Sequence, residues 1–418
     1  MERRLEAGFD VAAHQDRSMK SELVAPNRAR SLERLECLVA FDTQNPPGRE
    51  IEAIDWLAAI FRNMGWETQS IALAPGRANV VATLRNGDGP AFAFNSHVDV
   101  VPAGSGWTSD PFKLAARNGN LYGRGACDAK GQVACMIEAC ELLTAMRGSW
   151  SGTVMAVFVA DEEVASMGAR AFAATRPRID FCVIGEPTSN AVAIAHKGSM
   201  RPLVRVKGVP AHSGSPERGI NPLYKAARLL QMIEQDHAEL RSLHHPLLGS
   251  PSLTVTRLNG GHADNVTPET CDLLLDRRMI PQEKEEDVRS QIEDLLARAK
   301  TAYDVDAEVV RFLPTTGGAT ETDPGQPVVK AAIAAARANG VEDLEPYGLQ
   351  GACDLVHFRS TGAQGVVIGP GRLDVAHKPD EFVSESEFMQ ACSIHRDIVL
   401  SLLASSGPSA GGSRVSDA

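Results

Sequence analysis

No two cysteines of this chain form a CxxC pair, although eight are present: Cys37, Cys127, Cys135, Cys140, Cys182, Cys271, Cys353 and Cys392. Scattered like this, several inside apolar segments, they read as small buried hydrophobes and not as a thiolate metal site. No apolar run approaches the ~20 residues that a membrane-spanning helix needs. The opening Met1-Glu2-Arg3-Arg4-Leu5-Glu6 is charged and lacks the apolar stretch of a signal peptide, so the expected compartment is the cytoplasm. Positive charge is also short. A net charge of −11 argues against nucleic acid and against an anionic membrane surface as partners, since neither offers cations in return. Neither a phosphate-cradling glycine-rich loop nor a basic cluster occurs, which argues against a two-metal phosphoesterase. There are no internal repeats.

The 418 residues exceed one typical core and suggest two domains. The apolar share of 43% and charged share of 23% are those of an ordinary globular protein. Helical periodicity marks Leu32–Val39, Ile51–Met64 and Val133–Met146. Short apolar runs bounded by turn signals mark strands at Asn79–Leu84, Ala91–Asn95, Thr153–Ala160 and Phe181–Gly185, the alternation of an α/β sheet. From Pro202 to Phe312 the order becomes β-α-β-β-α-β, the ferredoxin-like unit. The α/β pattern then returns with helices at Pro327–Asn339 and Glu385–Leu403 around a strand at Gly365–Ile368. The expected architecture is a discontinuous α/β domain (1–192 and 313–404) with a mixed sheet flanked by helices. A smaller α+β domain (193–312) is inserted in it, and a Ser/Gly-rich disordered tail (405–418) comes last.

The residues just past each strand of the large domain carry the chemistry. Ala91–Asn95 leads into Ser96-His97-Val98-Asp99, Thr153–Ala160 into Asp161-Glu162-Glu163, and Phe181–Gly185 into Glu186-Pro187. Gly365–Ile368 leads into Gly369-Pro370-Gly371, with His377 a few residues on. Ligands of open α/β sheets sit beyond the carboxyl ends of the strands. Singly, each element is weak. Taken alone, Asp128 reads as only the N-cap of the next helix, and Asp161-Glu162-Glu163 most often as a solvated acidic turn or a helix N-terminus. Jointly, several acids and two histidines at one edge would repel one another unless a cation sat among them. Nitrogen and oxygen donors without cysteine suit zinc, cobalt or manganese better than calcium.

Five stretches occur in family order: Ser96–Pro102, Gly123-Arg124-Gly125-Ala126-Cys127-Asp128-Ala129-Lys130-Gly131, Asp161–Glu163, Gly185–Pro187 and Ala376-His377-Lys378-Pro379-Asp380-Glu381. With them the chain resembles, over nearly its whole length, the co-catalytic zinc aminoacylase/carboxypeptidase family. That family includes acetylornithine deacetylase, succinyl-diaminopimelate desuccinylase and glutamate carboxypeptidase. The resemblance implies two divalent metal ions, zinc first, with cobalt or manganese as alternatives. Asp128 would bridge them, His97 and Glu186 completing one site, Glu163 and His377 the other. Asp99 would accept a hydrogen bond from the far nitrogen of His97. Glu162 would be the general base that carries a proton from water to the leaving amine. A cis peptide at Asp128–Ala129 is also implied.

The resemblance makes the large domain the catalytic one and the inserted domain a lid and dimerisation domain; His212 lies in the latter's loop Gly208–Pro216, and the resemblance implies that it stabilises the oxyanion from the partner subunit of a homodimer. From local spacing alone it reads equally as a structural histidine of a Pro/Gly-rich loop. Asn265 and Arg278 match positions that hold the substrate carboxylate, for which arginine's planar fork is suited. Strand alternation sends Arg277 and Arg278 to opposite faces, so only one faces substrate. The loop Gly351-Ala352-Cys353-Asp354 lines the pocket and departs from the acetylornithine deacetylase pattern. The expectation is a hydrolase that cleaves the amide of a small carboxylate-bearing N-acyl amino acid. A dipeptidase, a carboxypeptidase-like enzyme or an amidase of an unusual catabolic substrate is the alternative on the same scaffold. A metal-binding protein without turnover would have no use for Glu162.

Overall fold

The computed structural model describes residues 24–404, so the tail expected at 405–418 lies outside the described residues. The chain opens with two amphipathic helices, α1 (Arg28–Ala40) and α2 (Ile51–Asn63). The Asn27 side chain caps α1 by accepting the N–H of Arg30 at 3.1 Å, one of the donors that a helix start leaves unpaired. Strands β1 (Glu67–Ala74), β2 (Arg77–Asn86) and β3 (Ala91–His97) come next, then a small hairpin, β4 (Ala115–Arg117) and β5 (Asn120–Tyr122). Helix α3 (Lys130–Ala145) is buried almost all round, as expected of a helix without a polar face. After it stand β6 (Gly152–Val159), α4 (Met167–Ala174), β7 (Phe181–Ile184) and β8 (Ala193–His196).

The inserted unit holds β9 (Gly198–Lys207), β10 (Ala211–His212), α5 (Pro222–Leu240), β11 (Ser252–Gly260), β12 (Val266–Thr267), β13 (Thr270–Met279), α6 (Glu285–Tyr303) and β14 (Ala307–Leu313). The chain then completes the large unit with β15 (Thr320–Glu321), α7 (Pro327–Ala338), β16 (Tyr347–Leu349), α8 (Leu355–Arg359), β17 (Gln364–Val367), β18 (Phe382–Ser384) and α9 (Glu385–Leu402).

The large sheet has nine strands in the order β1-β2-β6-β3-β7-β17-β8-β15, with β16 beside β8. Its centre, β6-β3-β7-β17, is parallel, and the flanks are antiparallel except that β16 runs parallel to β8. Both faces are covered. One carries α1, α2, α3, α7 and α9 over a core that includes Leu35, Phe61, Phe94, Met136 and Phe388; the other carries α4 and α8 over Phe172 and Phe358. Buried on both sides, the central strands are continuous apolar runs such as Ala91-Phe92-Ala93-Phe94.

The inserted sheet runs β11-β13-β9-β14 with α5 and α6 over one face, the ferredoxin-like arrangement. The expected domain limit needs one correction. Ala193–His196 pairs with β15, β16 and β17, so it belongs to the large sheet, and the inserted sheet begins at Gly198. Four residues are too short to show a period, and only the pairing assigns them. All eight cysteines are free and seven are buried. Among the described residues no helix is long and apolar enough to cross a membrane.

Candidate active site

The four parallel strands end at one edge of the sheet and deliver the residues expected there. His97 closes β3 with its ring 1% exposed. After β6 the chain turns through Asp161, whose φ of 74° reverses its direction and brings Glu162 and Glu163 back over the strand ends. Asp99 holds that turn: its Oδ1 accepts the N–H of Glu162 at 3.1 Å and its Oδ2 that of Glu163 at 3.2 Å. Asn45 Nδ2 ties Asp99 (2.9 Å) to Asp161 (3.0 Å), and Arg77 braces Asp161 (2.8 Å) and Glu50 (2.6 Å) from behind. One expectation is corrected here. The far nitrogen of His97, Nδ1, meets the main-chain carbonyl of Asp99 at 2.9 Å, while the Asp99 carboxylate lies 3.7 Å away. That carboxylate is already engaged by two backbone N–H groups and Asn45, so the carbonyl orients the ring.

Asp128 stands before α3 but does not cap it: the capping position is Ala129, without a side-chain bond. The peptide Asp128–Ala129 is cis. The loop is organised from far along the chain by Glu381, a residue of the last matching stretch to which the sequence assigns no role. Its Oε1 accepts the N–H groups of Gly125, Cys127 and Asp128, each at 3.0 Å, and its Oε2 pairs with Arg124. Arg124 is itself 1% exposed and lies under the Trp107 ring, 5.1 Å from its centre.

So held, Asp128 divides its two oxygens. Oδ1 lies 3.2 Å from His97 Nε2, and Oδ2 lies 3.2 Å from His377 Nε2. His377 Nε2 is also 3.1 Å from Glu163 Oε2, and His97 Nε2 is 4.0 Å from Glu186 Oε1. Donor atoms of His97, Asp128 and Glu163 converge within 4.8 Å of one another, as do those of His97, Glu162 and Glu186. The second group takes in Glu162, expected outside the ligand set, so its carboxylate shares the space of the cluster. Glu163 Oε1 and Glu186 Oε1 are buried with no hydrogen-bond partner among the described residues. Such orphaned acceptors are costly unless a cation meets them.

The titration directions say the same. Burial, and then neighbouring carboxylates, push Glu162, Glu163 and Glu186 upward. Burial opposes charge on Asp128 too, but hydrogen bonds from His377 and His97 outweigh it and hold its pKa down. Bonds to Asp128 and Glu163 push His377 up to about 10. Four carboxylates around two imidazoles, with unpartnered oxygens aimed inward, fit divalent cations.

A cleft of about 220 Å³ opens over this cluster. Asp128, Glu162, Glu163, Glu186 and His377 line its floor, and Ser199, Arg201 and Arg278 its wall from the inserted domain. Arg277 and Arg278 do part: Arg277 is 1% exposed and paired with Glu283 on the far face. Gly351 and Ala352 also line the cleft, whereas Cys353 and Asp354 are buried beneath it. His212 and Asn265 do not reach this cleft within one chain. His212 ends β10 and Asn265 immediately precedes β12 at one end of their small ribbon, both exposed, where Ser213 N donates to the Asn265 carbonyl at 2.9 Å and Gly214 N to His212 Nδ1 at 3.0 Å. Arg201 was not singled out from sequence. An arginine in an alternating strand gives no local signal of which face it takes.

Fold and site together define a metal-dependent hydrolase of amide or peptide bonds. The chain belongs to peptidase family M20/M25/M40, whose model matches residues 93–401. It is 31% identical over 338 residues to acetylornithine deacetylase of Proteus mirabilis, covering 79% of this chain and 84% of that one. To the Vibrio campbellii acetylornithine deacetylase it is 29% identical over 343 residues, covering 80% and 86%. In fold it is similar to the aminopeptidase PepT of Bacillus cereus (TM-score 0.73, 20% identity, 90% of this chain and 99% of that one). It is likewise similar to a metallo-carboxypeptidase of Sulfolobus solfataricus (TM-score 0.74, 18% identity, 89% and 99%). Human carnosine dipeptidase 1 is a further fold relative (TM-score 0.69, 18% identity, 90% and 96%).

Proposed function

We propose that this protein hydrolyses the amide bond of an N-acyl amino acid. The observation that carries the reading is Arg278, a guanidinium on the cleft wall facing a floor of metal-ligating type. A substrate whose carboxylate sits on Arg278 would present its neighbouring amide to that floor. His97, Asp128, Glu163, Glu186 and His377 would hold two divalent ions, Asp128 between them; the nitrogen and oxygen donor set suits zinc, cobalt or manganese. When bound, such ions supply Lewis acidity for the carbonyl and lower the pKa of water toward ~7. Glu162 takes the proton of the attacking water on its carboxylate and passes it to the leaving amine nitrogen. Asp99 fixes the backbone of that base through the Glu162 N–H.

His212 and Asn265, exposed on their ribbon, would serve the cleft of a second copy in a homodimer. There the imidazole would donate to the developing oxyanion and the amide to the substrate carboxylate. The eight free thiols suit a cytoplasmic setting. The test is metal-reconstituted protein against N-acetyl-ornithine, N-succinyl-diaminopimelate, other N-acyl amino acids and dipeptides, with a chelator control. Chelator-sensitive release of free amino acid from N-acyl substrates is expected. Turnover of dipeptides alone would move the protein to the peptidases, and indifference to chelation would refute the metal site.

A further inference from the structure

We propose that Arg201 is a second anion-holding residue of the cleft, selecting an amide substrate with a second carboxylate over one with a basic side chain. The inference rests on the deacylase reading of the same site. Strands β9 and β13 run antiparallel with Ser199 opposite Arg278 and Met200 opposite Arg277. Residues directly opposite share a face. Ser199, Arg201, Asp276 and Arg278 therefore occupy one face, while Met200 and Met279 are buried on the other against Val288 of α6.

Further along the same open face, Arg205 has a carboxylate to itself, Asp272, at 2.7 and 2.8 Å. At the cleft end two arginines share one. Asp276 accepts Arg201 Nε at 3.1 Å on Oδ2 and Arg278 Nε at 2.7 Å on Oδ1. The flanking strands bring no further acid: opposite Arg278 and Asp276 stand Ser252 and Thr254, and opposite Arg201 stands Leu313. Held by Nε, both guanidinium groups keep terminal nitrogens free. Among the described residues, those of Arg201 have no partner, and Arg278 uses only Nη2, at 3.4 Å. Lys197, its Nζ on the Ser250 carbonyl at 2.9 Å, has no carboxylate within ion-pair distance among the described residues, and its proximity to Arg278 lowers its pKa further after burial has done so.

The rest of the cleft offers a second acid nothing else to bind and a base nothing at all. Among the described residues, every carboxylate lining it belongs to the floor cluster, and beyond His377 the lining cations are Arg201 and Arg278. The remaining lining residues, among them Ser199, Thr315, Thr316 and Leu373, are neutral. An ornithine-type ammonium would find there no acid outside the proposed ligand set, and on the wall it would meet two guanidinium groups that share one carboxylate. A second carboxylate would find a guanidinium held ready for two-bonded contact.

The second acid can sit on the amine part of the substrate or on its acyl part, and the assay separates the two. Reconstituted enzyme is compared on N-acetyl-glutamate, N-succinyl-alanine, N-acetyl-norvaline and N-acetyl-ornithine, wild type against Arg201→Gln and Arg201→Lys. One or both dianions should lead in kcat/KM. Arg201→Gln should cost that dianion roughly 10- to 150-fold more than it costs N-acetyl-norvaline, the worth of one charge-assisted hydrogen bond. Arg201→Lys should restore part of it. Asp276 keeps Arg278 in the variant, so the strand pairing stays intact. Equal losses on all substrates, or N-acetyl-ornithine as the best substrate, would overturn the proposal. If no N-acyl amino acid is turned over, the deacylase reading fails, and calorimetric binding of glutarate against butyrate decides this one. A glutarate preference that vanishes in Arg201→Gln sustains it, and no preference refutes it.

Discussion

Replacing Glu381 by glutamine should loosen the loop that presents Asp128, although Glu381 coordinates nothing in the proposed ligand set. The amide oxygen of glutamine can still accept the three N–H groups of Gly125, Cys127 and Asp128, now taken at 3.0 Å each. What it cannot do is neutralise Arg124, which is 1% exposed and has no other carboxylate within ion-pair reach among the described residues. Breaking a buried pair while leaving one charge behind costs about 3–5 kcal/mol. Against a typical domain stability of about 5–15 kcal/mol, the variant stays folded but weakened. Burial, and then Asp128, push Glu381 up to about 7, so the comparison belongs at pH 8, where the wild-type carboxylate is ionised. The assay is urea unfolding followed by circular dichroism, beside calorimetric titration of Zn²⁺ into chelator-stripped protein. Stability should fall by about 3–5 kcal/mol, and metal affinity by roughly 10- to 100-fold, as for other groups that orient a ligand. Glu381→Gln combined with Arg124→Met removes the stranded charge and should recover most of the stability. Stability within about 0.5 kcal/mol of wild type and unchanged affinity would refute the reasoning, as would a double variant showing merely the sum of its single losses.

Three further outcomes are expected. Glu162→Gln should lower turnover by roughly 10²- to 10⁴-fold with metal content near that of wild type by elemental analysis; metal loss would place Glu162 among the ligands. His212→Ala should lower kcat by roughly 10²- to 10³-fold, with KM little changed, and mixing it with an inactive Glu162→Gln protein should restore activity in heterodimers. No restoration would sink the shared-site idea. His395, buried against Phe94 and bonded to the Ile368 carbonyl at 3.3 Å, is pushed down to about 4 by burial. A base with a depressed folded pKa is charged first in the unfolded chain. Its contribution is therefore present above ~6.5 and is lost as pH falls toward 4. The stability margin of wild type over His395→Gln should shrink by about 2 kcal/mol between pH 6.5 and 4.5; a constant margin would contradict the assignment.

Much of this molecule is local and was therefore legible. Apolar runs such as Ala91–Phe94 fix strands because both of their faces are buried, and the acids and histidines just past them fall at one edge because parallel strands end together. The β-α-β-β-α-β order between Pro202 and Phe312 needed only the change of period along the chain. Short elements escaped: β8 is four residues whose membership in the large sheet depends on partners more than a hundred residues away. The same distance hid the second layer of the site. Glu381 reaches the Asp128 loop across more than 250 residues of chain, and Asp99 turned from an imidazole partner into the brace of Glu162 and Glu163.

Sequence by itself determined which residue types could hold cations and do acid–base chemistry, since those properties belong to the side chains. Only tertiary structure decided which oxygens stay unpartnered, which arginine faces the cleft, and that Arg201 must share Asp276 with Arg278. Hydrogen bonds and charge balance are settled between strands that sequence distance does not bring together, and each carboxylate has only so many donors it can serve.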